Sequence, residues 1–190
     1  MSALFTGPVT PHCQPCPGAR LAFVFICPGR FEAARGYPCA AGTGANLARV
    51  LVELHVRSPD LFPSPARDAY LVTNAWAKVE YPALTGRSVP TEAEVLAPDN
   101  LERLAGELAG VDRVVACGVQ AHAALREVAR RRPSMQVAYG RHLSQRSVNS
   151  LAGGTTTAER IGCWADLVVA QWRPGAGQPS QAPSPQPAVL

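Results

Sequence analysis

The stretch GRHLSQRSVN, residues 140–149, gathers His142, Ser144, Arg146, Ser147 and Asn149 within one short segment. A histidine in such a loop can stabilise an anionic leaving group, and the serines can hold phosphate oxygens. A hydrophilic loop ending in a helix cap is the plainer account of the same residues. A second polar position ends the apolar run of LVTNAWAK at Asn74. Its amide both donates and accepts, as reading a base edge requires, although Asn is also a common turn residue where strands end. A third segment, ICPGRFEAARGYPCAAGTGANL, has the composition of a binding loop. Pro28-Gly29 turns the chain, and Gly36, Gly42 and Gly44 let backbone come close to a ligand. It carries neither the dinucleotide fingerprint nor the Lys-Ser/Thr ending of a phosphate loop. Glu32 is its one carboxylate, placed either to catalyse or to form a salt bridge or backbone cap.

Cys13 and Cys16 form a CxxC. With His12 and one distant thiol or histidine they would make a zinc site, but a CxxC without a second pair is weak, and unliganded thiols are the simpler expectation. Six cysteines in a chain with no secretory signal read as thiols of a reducing, cytoplasmic compartment rather than a disulfide framework. Cys27 and Cys117 fall in apolar runs, where free cysteine acts as a small hydrophobe. Trp76, Trp164 and Trp172 read as packing groups, with Trp76 near enough to Asn74 to line a pocket mouth. A membrane span is excluded, since no window reaches the ~18 apolar residues that one needs. The formal net charge of +4 favours a polyanionic partner without requiring one. Arg126, Arg130, Arg131 and Arg132 cluster where cations would complement a helix end.

At 190 residues the chain suits one domain. Four apolar, β-branched runs, 21–27, 69–74, 113–117 and 135–139, read as buried strands. Helical periodicity follows each, over 43–56, 91–108, 120–131 and 158–172, and Thr91 with Glu94 makes a capping box for the second. This alternation predicts a three-layer α/β/α sandwich on a central four-stranded parallel sheet, with functional loops at the carboxyl ends of the strands. The expected organisation is an N-terminal segment with the CxxC over 1–20, the α/β domain over 21–172, and a disordered Pro/Gln/Ser-rich tail over 173–190. A monomer is expected.

Taken in order, these pieces resemble the uracil-DNA glycosylase superfamily, most closely its bacterial and archaeal branch that carries an iron-sulfur cluster. The likeness runs from about Cys13 to Trp172. It rests on Pro28-Gly29, Glu32, Gly36, Pro38 and Gly44; on Thr73-Asn74; on Arg87-Ser88-Val89-Pro90-Thr91; on the junction from Val114 to Ala121; and on His142-Leu143-Ser144.

The resemblance implies a monofunctional DNA glycosylase that flips a nucleotide out of DNA and hydrolyses the bond from base to sugar. It implies that Asn74 reads the base edge, His142 donates to the departing base, Ser144 grips phosphate, and Leu143 or Arg146 wedges the vacated stack. Cys27, Pro28, Gly29, Tyr37 and Cys39 would complete the pocket wall. The branch's water-positioning acid or amide falls on Ile26 or Cys27, leaving Glu32 as the nearest carboxylate. Its uracil-stacking aromatic falls on Cys39, with Tyr37 beside it, so a modified or damaged base other than uracil is a candidate substrate. Two cluster ligands would correspond to Cys13 and Cys16 and the other two fall near Val79 and Ala97, so no cofactor is expected. The alternatives are a nucleotide- or DNA-binding protein of the same fold with impaired catalysis, and a thiol-based redox or metal-binding protein.

Overall fold

The computed structural model describes residues 6–172; the tail expected over 173–190 lies outside them. Five strands run in the order β1-β3-β2-β4-β5. They are β1 (Cys13–Gln14), β2 (Leu21–Phe25), β3 (Leu71–Asn74), β4 (Arg113–Cys117) and β5 (Gln136–Gly140). The last four pair in parallel, and β1 pairs antiparallel with β3, placing Cys13 opposite Thr73. The sheet therefore has one strand more than the four expected. A two-residue strand has no period to read, which is why β1 gives no signal of its own.

Strand β2 is buried along its whole length. Its side chains alternate between two cores, as a strand covered on both faces must. Phe23 and Phe25 join Val72, Val115 and Cys117 under helices α2 (Gly42–Arg57) and α8 (Thr157–Ala170). Ala22 and Val24 join Leu71, Val114 and Ala116 under α4 (Glu92–Val95), α5 (Pro98–Glu107) and α6 (Val119–Arg131). Each fully buried Leu or Phe in these cores contributes about 1.5–3 kcal/mol relative to exposure. Among the described residues no helix is long and apolar enough to cross a membrane.

Three departures from the sequence expectation have local causes. The periodic stretch 91–108 is two helices, because Pro98 starts α5 where its missing N–H is harmless and cannot continue α4. The capping box at Thr91 forms: the Glu94 carboxylate accepts the Thr91 N–H at 2.9 Å. The glycine-rich stretch contains helix α1 (Arg30–Arg35), which buries none of its residues and so has no apolar stripe to detect. Strand β2 ends at Phe25, so Cys27 lies beyond it, half-buried in the connection rather than inside a strand. Short helices α3 (Pro82–Thr85) and α7 (Gln145–Asn149) complete the set.

The connection from α1 to α2 doubles back tightly. Cys39 has a left-handed backbone (φ 52°), and a Cβ on Gly44 would overlap the Cys39 carbonyl oxygen. The obstacle is backbone and cannot rotate away. Gly44→Ala is therefore expected to destabilise the fold by at least about 2 kcal/mol, read as a lower urea midpoint at unchanged m-value.

Candidate functional site

β2 has β3 on one flank and β4 on the other, so the carboxyl ends of β2 and β4 meet where the strand order reverses. Open α/β sheets bind ligands at such a crevice. Ile26 and Cys27 follow β2 there, Gly118 follows β4, and His142 follows β5. Gly118 has φ 105°, and a Cβ on it would lie 2.8 Å from Ile26 Cδ1 and 3.3 Å from His142 Cβ. Only glycine gives both the backbone angle and the space. The Phe25 ring meets the His142 ring edge to face, centroids 5.8 Å apart.

His142 accepts the Ser144 N–H at Nδ1, 3.0 Å away, which leaves the proton of the neutral ring on Nε2. Burial drives its pKa down from 6.5 to about 4, against the opposing pull of the Glu32 charge. The imidazole is thus a neutral donor at physiological pH. Its loop is held by two buried side chains. Asn46 of α2 donates to the Leu143 carbonyl at 3.0 Å, and Trp164 of α8 donates to the Arg141 carbonyl at 2.9 Å. Neither positioning contact was anticipated, although Asn46 lies four residues before Val50 on the apolar face of α2, and a polar residue on such a face is the available signal.

Glu32 sits close enough for its charge to act on His142, Cys27 and Cys39. Its own oxygens are engaged by backbone: Oε2 accepts from Gly29 N at 3.0 Å and Oε1 from Ala40 N at 2.9 Å. It acts here as a backbone cap that closes the loop between α1 and α2. Cys27 is pushed up to about 12, by burial first and then by Glu80 and Glu32, so it is a thiol and not a nucleophilic thiolate at neutral pH. Pro28 is buried, and its carbonyl accepts from Glu80 N at 2.9 Å.

Other candidate residues occupy different surroundings from those expected. Asn74 is buried, and its Nδ2 donates to the His12 carbonyl across the β1–β3 edge at 3.0 Å. Its Oδ1 takes no hydrogen bond among the described residues. Cys39 is not a pocket wall facing a base; it belongs to the core beneath α2, and burial raises its thiol. Leu143 is fully buried in the same core and cannot wedge a base stack from there. Arg146 is exposed on α7, Ser144 caps that helix by accepting from Ser147 N at 3.4 Å, and Tyr37 lies half-buried under the Arg67 guanidinium, 5.5 Å from its ring centre.

The CxxC thiols differ from each other. Cys13 is buried against β3, held protonated and pushed up to about 12 by burial first and then by Glu107, whereas Cys16 bonds the Asp68 carbonyl at 3.2 Å. Val79 and Ala97 offer no ligand atoms, so the residues present do not fit an iron-sulfur cluster. Among the described residues no three His, Cys, Asp or Glu side chains converge as a metal site requires. His12, the other zinc candidate, instead bonds Glu107 at 3.1 Å. Glu107 also accepts from Thr73 at 2.6 Å and Arg103 at 2.7 Å, so this buried cluster ties the N-terminal segment to α5.

Charge is unevenly placed. The connections 26–41, 75–91 and 141–156, all following parallel strands, hold six of the 18 Arg and Lys residues and two of the 14 Asp and Glu. The chain's net charge of +4 therefore resides at this edge, and the remainder balances. Of the two acids, Glu32 is turned into the loop. Glu80 is buried, and Arg87, together with Trp76, holds its carboxyl down at about 2 despite that burial. Among the described residues Arg30, Arg35, Lys78, Arg141 and Arg146 have no carboxylate partner, while Arg87 is shared between Glu80 and Glu94. A cleft of about 480 Å³ bordered by Arg20, Asp60, Tyr70 and Arg113 opens at the opposite, amino-terminal edge, away from His142.

No protein-family model matches the chain, and no curated protein matches it.

The His142 environment has a measurable signature. The unfolded ring takes a proton near 6.5 and the folded ring near 4, so unfolding takes up a proton between those values. Stability falls as pH drops through that window, by at most about 1.4 kcal/mol per pH unit, and this contribution is flat above it. His142→Asn is expected to show a shallower loss of stability from pH 6.5 to 4 than the parent, measured by urea unfolding across pH.

Proposed function

We propose that the protein is a monofunctional DNA N-glycosylase that binds a flipped uracil, or another modified or damaged base, at the carboxyl ends of β2 and β4. The observation that carries this reading is His142: a neutral imidazole held by backbone and core contacts, its Nε2–H unbonded among the described residues, at the reversal of strand order on the edge that holds the net positive charge. On this reading the bond from sugar C1′ to the base nitrogen breaks heterolytically, and the base leaves with the electron pair. The His142 Nε2–H donates to the oxygen where that negative charge accumulates, and water adds to C1′ and releases its proton to solvent. The Asn74 Oδ1 accepts from an imino N–H of the base, while Nδ2 stays on the His12 carbonyl. Arg141, Arg146 and Ser144 contact phosphates.

A second reading, a non-cleaving nucleotide or DNA binder of the same fold, is favoured by one observation: both oxygens of Glu32 already accept backbone N–H groups, and β2 is followed by apolar Ile26. The two separate in one experiment. End-labelled oligonucleotides containing uracil, hypoxanthine, xanthine, or hydroxymethylated or glucosylated cytosine are incubated with the protein, then treated with hot alkali. Cleavage at one base, reduced about 10²–10³-fold by His142→Ala, is the expected outcome. The excision rate should stay level between pH 8 and about 5, because a ring titrating near 4 remains neutral there. Salt-sensitive DNA binding with no cleavage at any base would overturn the glycosylase and leave the binder.

A further inference from the structure

Leu143, in the loop after β5, is core and offers no surface to a base. The exposed apolar side chains do offer such a surface. Phe31 (47% exposed), Leu84, Val89 and Val119 are four of the eight large hydrophobics that the described residues leave in solvent. All four stand in or next to the connections after β2, β3 and β4, on the edge with the excess cations. Phe31 is the one aromatic among them. It occupies the first turn of α1, in the connection that follows β2. The Arg30 guanidinium lies over its ring, 4.7 Å from the centroid. That leaves ring surface open and puts a cation beside it without a carboxylate partner. An exposed aromatic next to an unpaired arginine on a basic edge suits a base with its phosphate, because every base has a π-face and is followed by an anion.

We propose that Phe31 and Arg30 form a stacking platform for an unpaired nucleotide of single-stranded or locally opened DNA, Phe31 taking the base and Arg30 the phosphate. This rests on reading the carboxyl edge as a DNA-binding surface, but not on cleavage. The platform is distinct from the base site proposed at His142 and holds a neighbouring nucleotide.

The test uses the full chain and a short single-stranded oligonucleotide carrying 2-aminopurine, followed by anisotropy and by 2-aminopurine fluorescence. The parent is expected to bind and quench the probe. Phe31→Leu should bind about tenfold more weakly and lose the quenching, whereas Phe31→Trp retains both. Arg30→Gln should weaken binding and lower the dependence of log K on log salt by about one. An exposed side chain is replaced in each case, so melting temperatures should match the parent's, which separates lost stacking from lost folding. Equal affinity and quenching in Phe31→Leu would overturn the platform, even if bases are still excised. Lost excision in every assay, with these Phe31 and Arg30 responses intact, would remove the glycosylase and leave the platform standing.

Discussion

Strand β2 sets the terms for everything at the carboxyl edge. It is paired in parallel on both sides and covered on both faces, so each of its residues must be apolar. That demand continues past its end, because Ile26 fills the space that Gly118 leaves open toward His142. Ile26 is itself half-buried, so a carboxylate there would lose part of its hydration. The chemistry of the edge is accordingly displaced outward. Glu32, Asn74 and His142 stand where the strands give way to their connections, and each is held by backbone.

Parallel pairing also explains how the loops are held. Hydrogen bonds between the β2 and β3 segments continue beyond the strands, from Ala75 N to the Phe25 carbonyl and from Trp76 N to the Ile26 carbonyl. Glu80 N then reaches the Pro28 carbonyl, while its carboxylate gathers Trp76 and Arg87. One buried acid thus organises the connection after β3 and consumes an arginine. Among the described residues the remaining cations at the edge have no such partner, so their charge is left uncompensated there.

The alternation of strands and helices was legible because buried parallel strands read as continuous apolar runs and amphipathic helices as a separate period. The site was legible in part. His142, Asn74 and Glu32 could be singled out as polar groups where apolar runs stop, but their partners depend on distant chain. Asn74 turns toward His12 because β1 occupies the sheet edge, and a two-residue strand leaves no trace in the sequence. Leu143 is a wedge only by the resemblance, through its place in His142-Leu143-Ser144. It is buried because Asn46, nearly a hundred residues earlier, draws its carbonyl down onto α2. Phe31 passed unnoticed for the opposite reason: a single aromatic in a short helix has no periodicity, and only its exposure marks it.

Magnitudes decide whether a site built this way can act on a glycosidic bond. A positioned general base contributes about 10²–10⁴-fold, and the engaged oxygens of Glu32 forgo that contribution. A donor aimed at the developing anion contributes about 10²–10³-fold in a site that excludes water. Breaking the bond from sugar to base places its negative charge on the departing base, so the donor acts on the atom that bears the charge. Water attacking a cationic sugar needs less help from a base than water attacking a neutral carbonyl. A neutral His142 is suited to that task, since its low pKa keeps it from protonating and from attracting a carboxylate that would compete with the base. On the proposed glycosylase reading, the architecture would favour slow chemistry driven by leaving-group stabilisation over rapid chemistry driven by proton abstraction.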